Sequence, residues 1–449
     1  MLLRRAAGRL AGGRVCHSDT RHPGPQSFGA PLNYDRDRPI VPGMKLADVF
    51  IARQPIFDRA DLVSGYEILF RSGPENRFIA PDPSLAATQG LERTVMSFGF
   101  DELVAGKTAF VNVSRDILLS GQYSLLPATR SVVELLETIE PDPAVIAACR
   151  RLKDDGFRMA LDDFQYRPAM APLLALADIV KVDFRDPAHR TAAALAPLRD
   201  TSCTLLAEKV ETREERDLAE TLGFELFQGY FFCRPEMIKR RAPTPSRMNY
   251  LRLLAEVGQV DADFDRVEAL IRQEVAFSVR LLRYLNSAGF GWRYEVESIN
   301  HALRLLGVRE LRKWISAVAT VGLGDGKAPE LVLTALLRAR LAELLAEPAG
   351  LGQADLDLFF SGLLSVMDAV MDEPLEKLLD SMAVSPKISR GLLRREPPFG
   401  PVLDLVVAQE RGDWSRVEAL TDSLGAPRER VQEAYVRASS WAATLVQAA

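Results

Sequence analysis

An α/β barrel followed by an all-helical domain is the architecture the sequence predicts, and three observations predict it. Between residues 47 and 235, about eight short apolar runs of strand length alternate with helical stretches, the pattern of a mostly parallel sheet with crossover helices. After Met248 the strands fade and apolar residues recur at helical spacing, as in Leu251-x-x-Leu254 and Leu281-Leu282-x-x-Leu285. Between the two halves, Arg240-Arg241-Ala242-Pro243-Thr244-Pro245-Ser246 carries two prolines and no hydrophobic period, which marks a linker. A length of 449 residues suits two or three domains of about 100–200 residues each.

Taken in order, residues 1–45 are rich in Arg, Gly and Pro and are expected to be a disordered tail or an upstream extension, with Met44 a sensible start. The barrel is expected over 46–238, with strands at Val49–Ala52, Gly65–Leu69, Thr108–Val113, Val132–Leu136, Met159–Leu161, Ile179–Val182, Thr204–Ala207 and Leu226–Phe227. Pro143–Asp155 and Glu214–Leu222 read as helices between them. The linker spans 239–247 and the helical domain 248–440, with breaks at Gly322–Pro329, Glu347–Gln353 and Glu396–Pro401. Neither half shows a tandem repeat.

Composition excludes several classes of function. The four cysteines, at 16, 149, 203 and 233, include no Cys-x-x-Cys, so zinc ribbons, iron–sulfur clusters and a disulfide framework are not expected. Of the four histidines, only His189 and His301 lie outside the N-terminal tail, too few for a His-rich metal centre. Any metal chemistry must rest on carboxylates, so the ion expected is hard, Mg²⁺ or Mn²⁺. A net charge of −5 argues against a nucleic-acid partner. With no long apolar run and a poor signal peptide, a cytoplasmic location is expected.

Strand after strand ends in a carboxylate or amide: Glu67, Asn112, Glu134 with Glu137, Asp162 with Asp163, Asp183, Glu208 with Glu211, and Gln228, with Lys181 among them. In a barrel of parallel strands these ends converge on one mouth. So many acidic groups at low dielectric cannot all stay ionised unless cations neutralise them. The arrangement therefore asks for a divalent metal, one or two ions, able to clamp a phosphate and activate a water.

The motifs Gln54-Pro55-Ile56, Glu67-Ile68-Leu69-Phe70-Arg71, Asn112, Glu134-x-x-Glu137, Asp162-Asp163-Phe164, Lys181-x-Asp183, Ala207-Glu208-x-Val210-Glu211-Thr212 and Gln228-Gly229-Tyr230 resemble the EAL domain. That family comprises cyclic di-GMP phosphodiesterases and their degenerate relatives on a barrel fold. The resemblance implies that Glu67, Asn112, Glu134 and Asp162 hold one metal ion and Asp163 serves a second. Glu208 would act as general base or as ligand for the attacking water, Lys181 would orient that water, and Gln228 would complete the shell. Gln54, Arg71 and Asp183 would contact the nucleotide. The implied reaction is hydrolysis of cyclic di-GMP to linear pGpG.

Three departures stand out. The signature Glu-Ala-Leu reads Glu67-Ile68-Leu69; the family's glycine after the catalytic glutamate is Lys209; and its Gly-rich loop is replaced by Gln165-Tyr166-Arg167-Pro168-Ala169-Met170. Losing the glycines and gaining Pro168 implies a different loop path. Because that loop couples metal binding to dimerisation in the family, a homodimer is an open expectation here.

Ser278–Asn286, Ile299–Gly307 and Phe359–Met367 resemble an HDOD domain, a helical relative of the HD hydrolases. The His-Asp pair of those hydrolases aligns with Ser365-Val366, so no catalysis is expected there. The helical half is expected to bind a protein partner instead. Trp292, Tyr294 and Trp314 are either core or an exposed aromatic patch. Two readings stay open: an ion-dependent cyclic di-GMP phosphodiesterase, or a degenerate cyclic di-GMP receptor or protein-interaction scaffold.

Overall fold

The computed structural model describes residues 49–72, 104–199, 201–234, 245–259, 261–273, 275–286, 296, 299–382 and 384–448. The 1–45 stretch, most of the proline-rich linker, Trp292, Tyr294 and the side chain of Arg71 lie outside the described residues. Barrel and helices belong to one compact unit, Arg38–Ala449.

Eight strands close a barrel in sequence order: β1 Val49–Phe57, β2 Val63–Ser72, β3 Thr108–Val113, β4 Ser131–Leu135, β5 Arg158–Leu161, β6 Ile179–Asp183, β7 Thr204–Glu208 and β8 Leu226–Gln228. Strands β2 to β8 pair in parallel, whereas β1 runs antiparallel to both neighbours. Each sequence-predicted strand exists, and β1 and β2 extend well beyond the predicted Val49–Ala52 and Gly65–Leu69. Two of the crossovers hold helices of a single turn, Ala171–Leu174 and Ala196–Arg199.

Period-two alternation decides what fills the barrel. Ile56, Phe110, Val132, Ala160, Ile179 and Leu206 form a separate apolar cluster, with Leu226 against it. β2 contributes Gly65 at this level, paired in register with Ile56. A Cβ there would stand 2.8 Å from the Phe110 ring, so the glycine makes room for that ring. Two residues further toward the mouth, the same strands present Gln54, Asn112, Glu134, Asp162, Lys181, Glu208, Gln228 and, from β2, Glu67. An apolar floor thus carries a polar ring directly above it. Outward-facing residues such as Val111, Val133, Met159, Val180 and Ala207 pack beneath the crossover helices.

The second half is helical, beginning with Pro245–Gly258. Pro245 opens that helix from inside the stretch read as linker, at a position where its missing N–H costs nothing. Helix Ile299–Leu323 breaks at Gly307, whose φ of 78° is left-handed. Trp314 is core: it packs on Trp441 with ring centroids 5.4 Å apart. No helix among the described residues is long and apolar enough to cross a membrane.

β1 joins the halves. It pairs with β8 only at Ile56 and Phe57, which leaves the outer part of its edge without a strand partner. Such an edge must be covered or solvated. Helix side chains cover it. Gln409 donates to the Ile51 carbonyl at 2.9 Å, Gln432 accepts from the Ile51 N–H at 3.0 Å, and Tyr435 oxygen accepts from the Arg53 N–H at 3.2 Å. The two glutamines also bond each other at 3.2 Å, and Ala52 belongs to the helical core.

Candidate active site

Seven strands and the residue following an eighth bring one polar side chain each to the mouth. Lys181 is at the centre and fully buried. Its ammonium lies 2.8 Å from Asp162, 3.0 Å from Glu134, 3.0 Å from Glu208 and 3.3 Å from Glu67. Asn112 donates to Glu67 at 2.8 Å, and Gln228 donates both to Glu67 at 2.7 Å and to Gln54 at 3.0 Å. Gly229 lets the chain turn behind Gln228: its φ is 146°, and a Cβ there would collide with the Val210 backbone.

Four carboxylates share one ammonium, so charge is not balanced, and the proton affinities respond. Burial disfavours the charge on Lys181, but the four carboxylates outweigh it and hold its pKa well above the usual lysine value. Burial pushes Glu134 well above the ordinary carboxylate range and Glu208 up to about 8. Asp162 is raised for the same reason. Glu67 is the exception. Burial acts to raise it, but the Lys181 charge and hydrogen bonds from Gln228, Lys181 and Asn112 bring it below its usual value. Burial, with the excess of carboxylates over positive charge, thus raises the proton affinity of every acid in the ring except Glu67.

Unpaired acceptors point the same way. Asn112 Oδ1, Glu134 Oε2, Glu208 Oε2 and Gln228 Oε1 are buried and accept no hydrogen bond, while Glu134 Oε1 meets the Lys181 ammonium. Each is an oxygen acceptor on the ring, and buried acceptors without a partner are costly. No three acidic, histidine or cysteine side chains among the described residues are already gathered as metal ligands. Lys181, not an ion, gathers these carboxylates. In kind, the oxygens of Glu67, Asn112, Glu134, Asp162 and Glu208 nonetheless fit one hard divalent cation, and Asn112, Glu134 and Glu208 each keep an oxygen without a hydrogen bond.

Asp163 stands apart. It follows β5 with a left-handed φ of 40° and pairs with Lys209 at 3.2 Å; Lys209 also reaches Asp183 at 2.7 Å. Sequence reasoning set the Lys209 cation beside Glu208, but its ammonium reaches across to the ends of β5 and β6. Hydrogen bonding to Asp183 and the charges of Asp163 and Asp183 outweigh burial and raise the Lys209 pKa. The loop from Gln165 closes through an Arg167–Glu140 ion pair and a tight turn at Pro168–Met170.

Gln54 meets the helical half: its side-chain N–H donates to the Arg411 carbonyl at 2.9 Å. The Arg411 guanidinium lies 4.8 Å from the Tyr230 ring centroid, and Tyr230 donates to the Glu410 carbonyl at 3.3 Å. Sequence reasoning missed Gln409, Glu410 and Arg411 at this rim. No local pattern distinguishes the end of helix Phe399–Arg411 from any other helix end.

The chain matches the EAL domain model over residues 44–235 and the HDOD domain model over 243–381. Bacillus subtilis YuxH is 31% identical over 89% of this chain and 99% of its own length. A Vibrio cholerae protein named cyclic di-GMP phosphodiesterase CdgJ is 33% identical over 87% of this chain and 92% of its own. The chain belongs to the family in which an EAL domain is followed by an HDOD domain. Among solved structures, the EAL domain aligns with the EAL enzyme Bd1971 (18% identity, TM-score 0.32) and with Klebsiella pneumoniae BlrP1 in a calcium and cyclic di-GMP complex (26%, TM-score 0.35). These alignments cover 41% and 44% of this chain and span 61% and 58% of the two solved chains.

In the helical half, Ser365 adjoins a buried internal ion pair. Arg338 binds both Glu410 oxygens at 2.6 and 2.7 Å and also donates to Ser365 Oγ at 3.3 Å, and Val366 is buried.

Proposed function

We propose that the chain hydrolyses one phosphodiester bond of cyclic di-GMP to give linear pGpG at the barrel mouth, with the HDOD domain as a non-catalytic, protein-binding half. The observation that carries this is the buried ring around Lys181, with its excess of carboxylates and its unpaired oxygens. Glu67, Asn112, Glu134 and Asp162 would hold a Mg²⁺ or Mn²⁺ ion. When bound, such an ion neutralises phosphate charge and makes water a better nucleophile at neutral pH. Glu208 takes the proton of the attacking water; burial has already brought its proton affinity near neutrality, where a general base works best. Lys181, inside the ring, orients that water and offsets charge growing on the phosphate. Gln228 fixes Glu67 and Gln54 together. Gln54, Arg71 and Asp183 would contact the nucleotide from the rim.

The remodelled loop after Asp163 favours a second reading, a receptor that binds cyclic di-GMP without cleaving it. One experiment separates them. Purified full-length protein is incubated with cyclic di-GMP, with and without Mg²⁺ or Mn²⁺, and both binding and pGpG are measured. Ion-dependent pGpG that disappears in Glu208→Gln is the expected outcome. Binding without product overturns hydrolysis, and no binding with either ion overturns the receptor as well.

A further inference from the structure

A second ion at Asp163, unlike the first, does not fit the residues present. Both oxygens of Asp163 face the Lys209 ammonium, at 3.2 and 3.4 Å, and Asp183 faces it at 2.7 Å. We propose that Lys209 is a built-in cation standing where a second divalent ion would bind, so that the barrel mouth takes a single ion.

The backbone supports this placement. Lys209 follows β7 with φ of 56°, a left-handed conformation that an L side chain adopts at a cost and glycine adopts freely. From that turn its side chain crosses to the ends of β5 and β6. The strain is tolerated at a position whose side chain does nothing for the core, since Lys209 is half exposed. The two carboxylates it bridges would otherwise repel each other. A divalent ion entering beside Asp163 would face a tethered ammonium at close range, a like-charge repulsion that exceeds thermal energy even at this half-exposed site. The Lys181 ring has the opposite balance, with four carboxylates to its one ammonium, and keeps room in charge for one ion.

This proposal rests on the ion-dependent reading above, and its test counts ions rather than turnover. Mn²⁺ bound per full-length chain is measured by electron paramagnetic resonance of the free ion after equilibrium dialysis. The variants are Lys209→Gln, which keeps the side-chain bulk without the charge, and Lys209→Gly, which also removes the backbone strain. Thermal denaturation checks that each is folded. The expected result is one Mn²⁺ in the wild type and two in both variants. Two ions in the wild type, or one in all three proteins, would overturn the proposal while leaving the ion-dependent reading intact. No ion in any of them would remove that reading, and the built-in cation with it.

Discussion

The barrel mouth and the centre of the helical half solve the same problem in opposite ways. Each buries an ammonium or guanidinium against carboxylates. In the helical half, Arg338 and Glu410 form a one-to-one bidentate pair, with Arg338 held well above its ordinary value because its partner's charge outweighs burial. At the mouth, Lys181 meets four carboxylates, and burial raises the proton affinities of Glu134 and Glu208. A balanced buried pair is structural; an unbalanced one is poised to receive something. The difference teaches where function lies more clearly than burial alone, since the charged groups in both places are almost inaccessible.

The sharpest way to break the comparison is to remove each cation. Lys181→Met and Arg338→Met should each cost about 3–5 kcal/mol in the ion-free chain, because an uncompensated buried carboxylate remains. Saturating Mn²⁺ should restore much of the loss in Lys181→Met and none in Arg338→Met, as read by urea denaturation. Equal rescue of both, or of neither, would erase the distinction.

Next in size is the seam between the halves. Gln409→Ala with Gln432→Ala leaves the Ile51 N–H and carbonyl without their partners, at about 1–3 kcal/mol for each group that stays buried. Hydrogen exchange at the Ile51 amide should accelerate while the Val133 amide in β4 keeps its protection. Unchanged exchange at Ile51 would show that the glutamines do not hold the β1 edge.

A smaller effect, of opposite sign, is expected from Glu134→Gln. Removing one of the four crowded carboxylates should stabilise the ion-free chain by about 0.5–2 kcal/mol while weakening Mn²⁺ binding, the usual trade at a functional site. A destabilised variant with unchanged ion affinity would mean that Glu134 is a structural partner of Lys181 only.

The smallest effect concerns pH. Glu330 accepts from the Tyr66 hydroxyl at 2.9 Å across the domain seam. Burial raises its pKa above the ordinary 4.5, the Glu410 charge adds to the rise, and Arg53 and the Tyr66 hydrogen bond oppose it. The folded chain keeps a proton there that the unfolded chain releases. That stabilisation is complete below pH 4.5 and fades as pH rises through the folded value. Glu330→Gln should flatten stability against pH over that window; identical pH profiles for variant and wild type would show that Glu330 contributes nothing there.

Much of the barrel was legible because its strands carry their own punctuation. Apolar runs bounded by turns gave all eight, and the polar residues closing the seven parallel runs, β2 to β8, marked the mouth. A finer signal was present and unread: Val132 with Glu134, Phe110 with Asn112, Ile179 with Lys181 and Leu206 with Glu208 repeat one two-residue step from floor to ring. The extension of β1 to Phe57 was not legible, because it depends on pairing with β2 and with β8 at Ile56 and Phe57; nor were the partners of its free edge, Gln409 and Gln432, more than 350 residues away in sequence. Nor was the reach of Lys209. Sequence put a cation next to Glu208, but a left-handed turn decides which carboxylates it meets.

Equilibrium urea denaturation of the wild-type chain, with and without Mn²⁺, tests most directly whether the mouth oxygens form an ion site. An ion that binds only the folded chain adds about 2.7 kcal/mol at a hundredfold excess over its Kd. The expected result is a rise in the unfolding midpoint with Mn²⁺ that is lost in Glu134→Gln at the same ion concentration. A midpoint that does not move with Mn²⁺ would contradict the reading of the Lys181 ring as a site awaiting its cation.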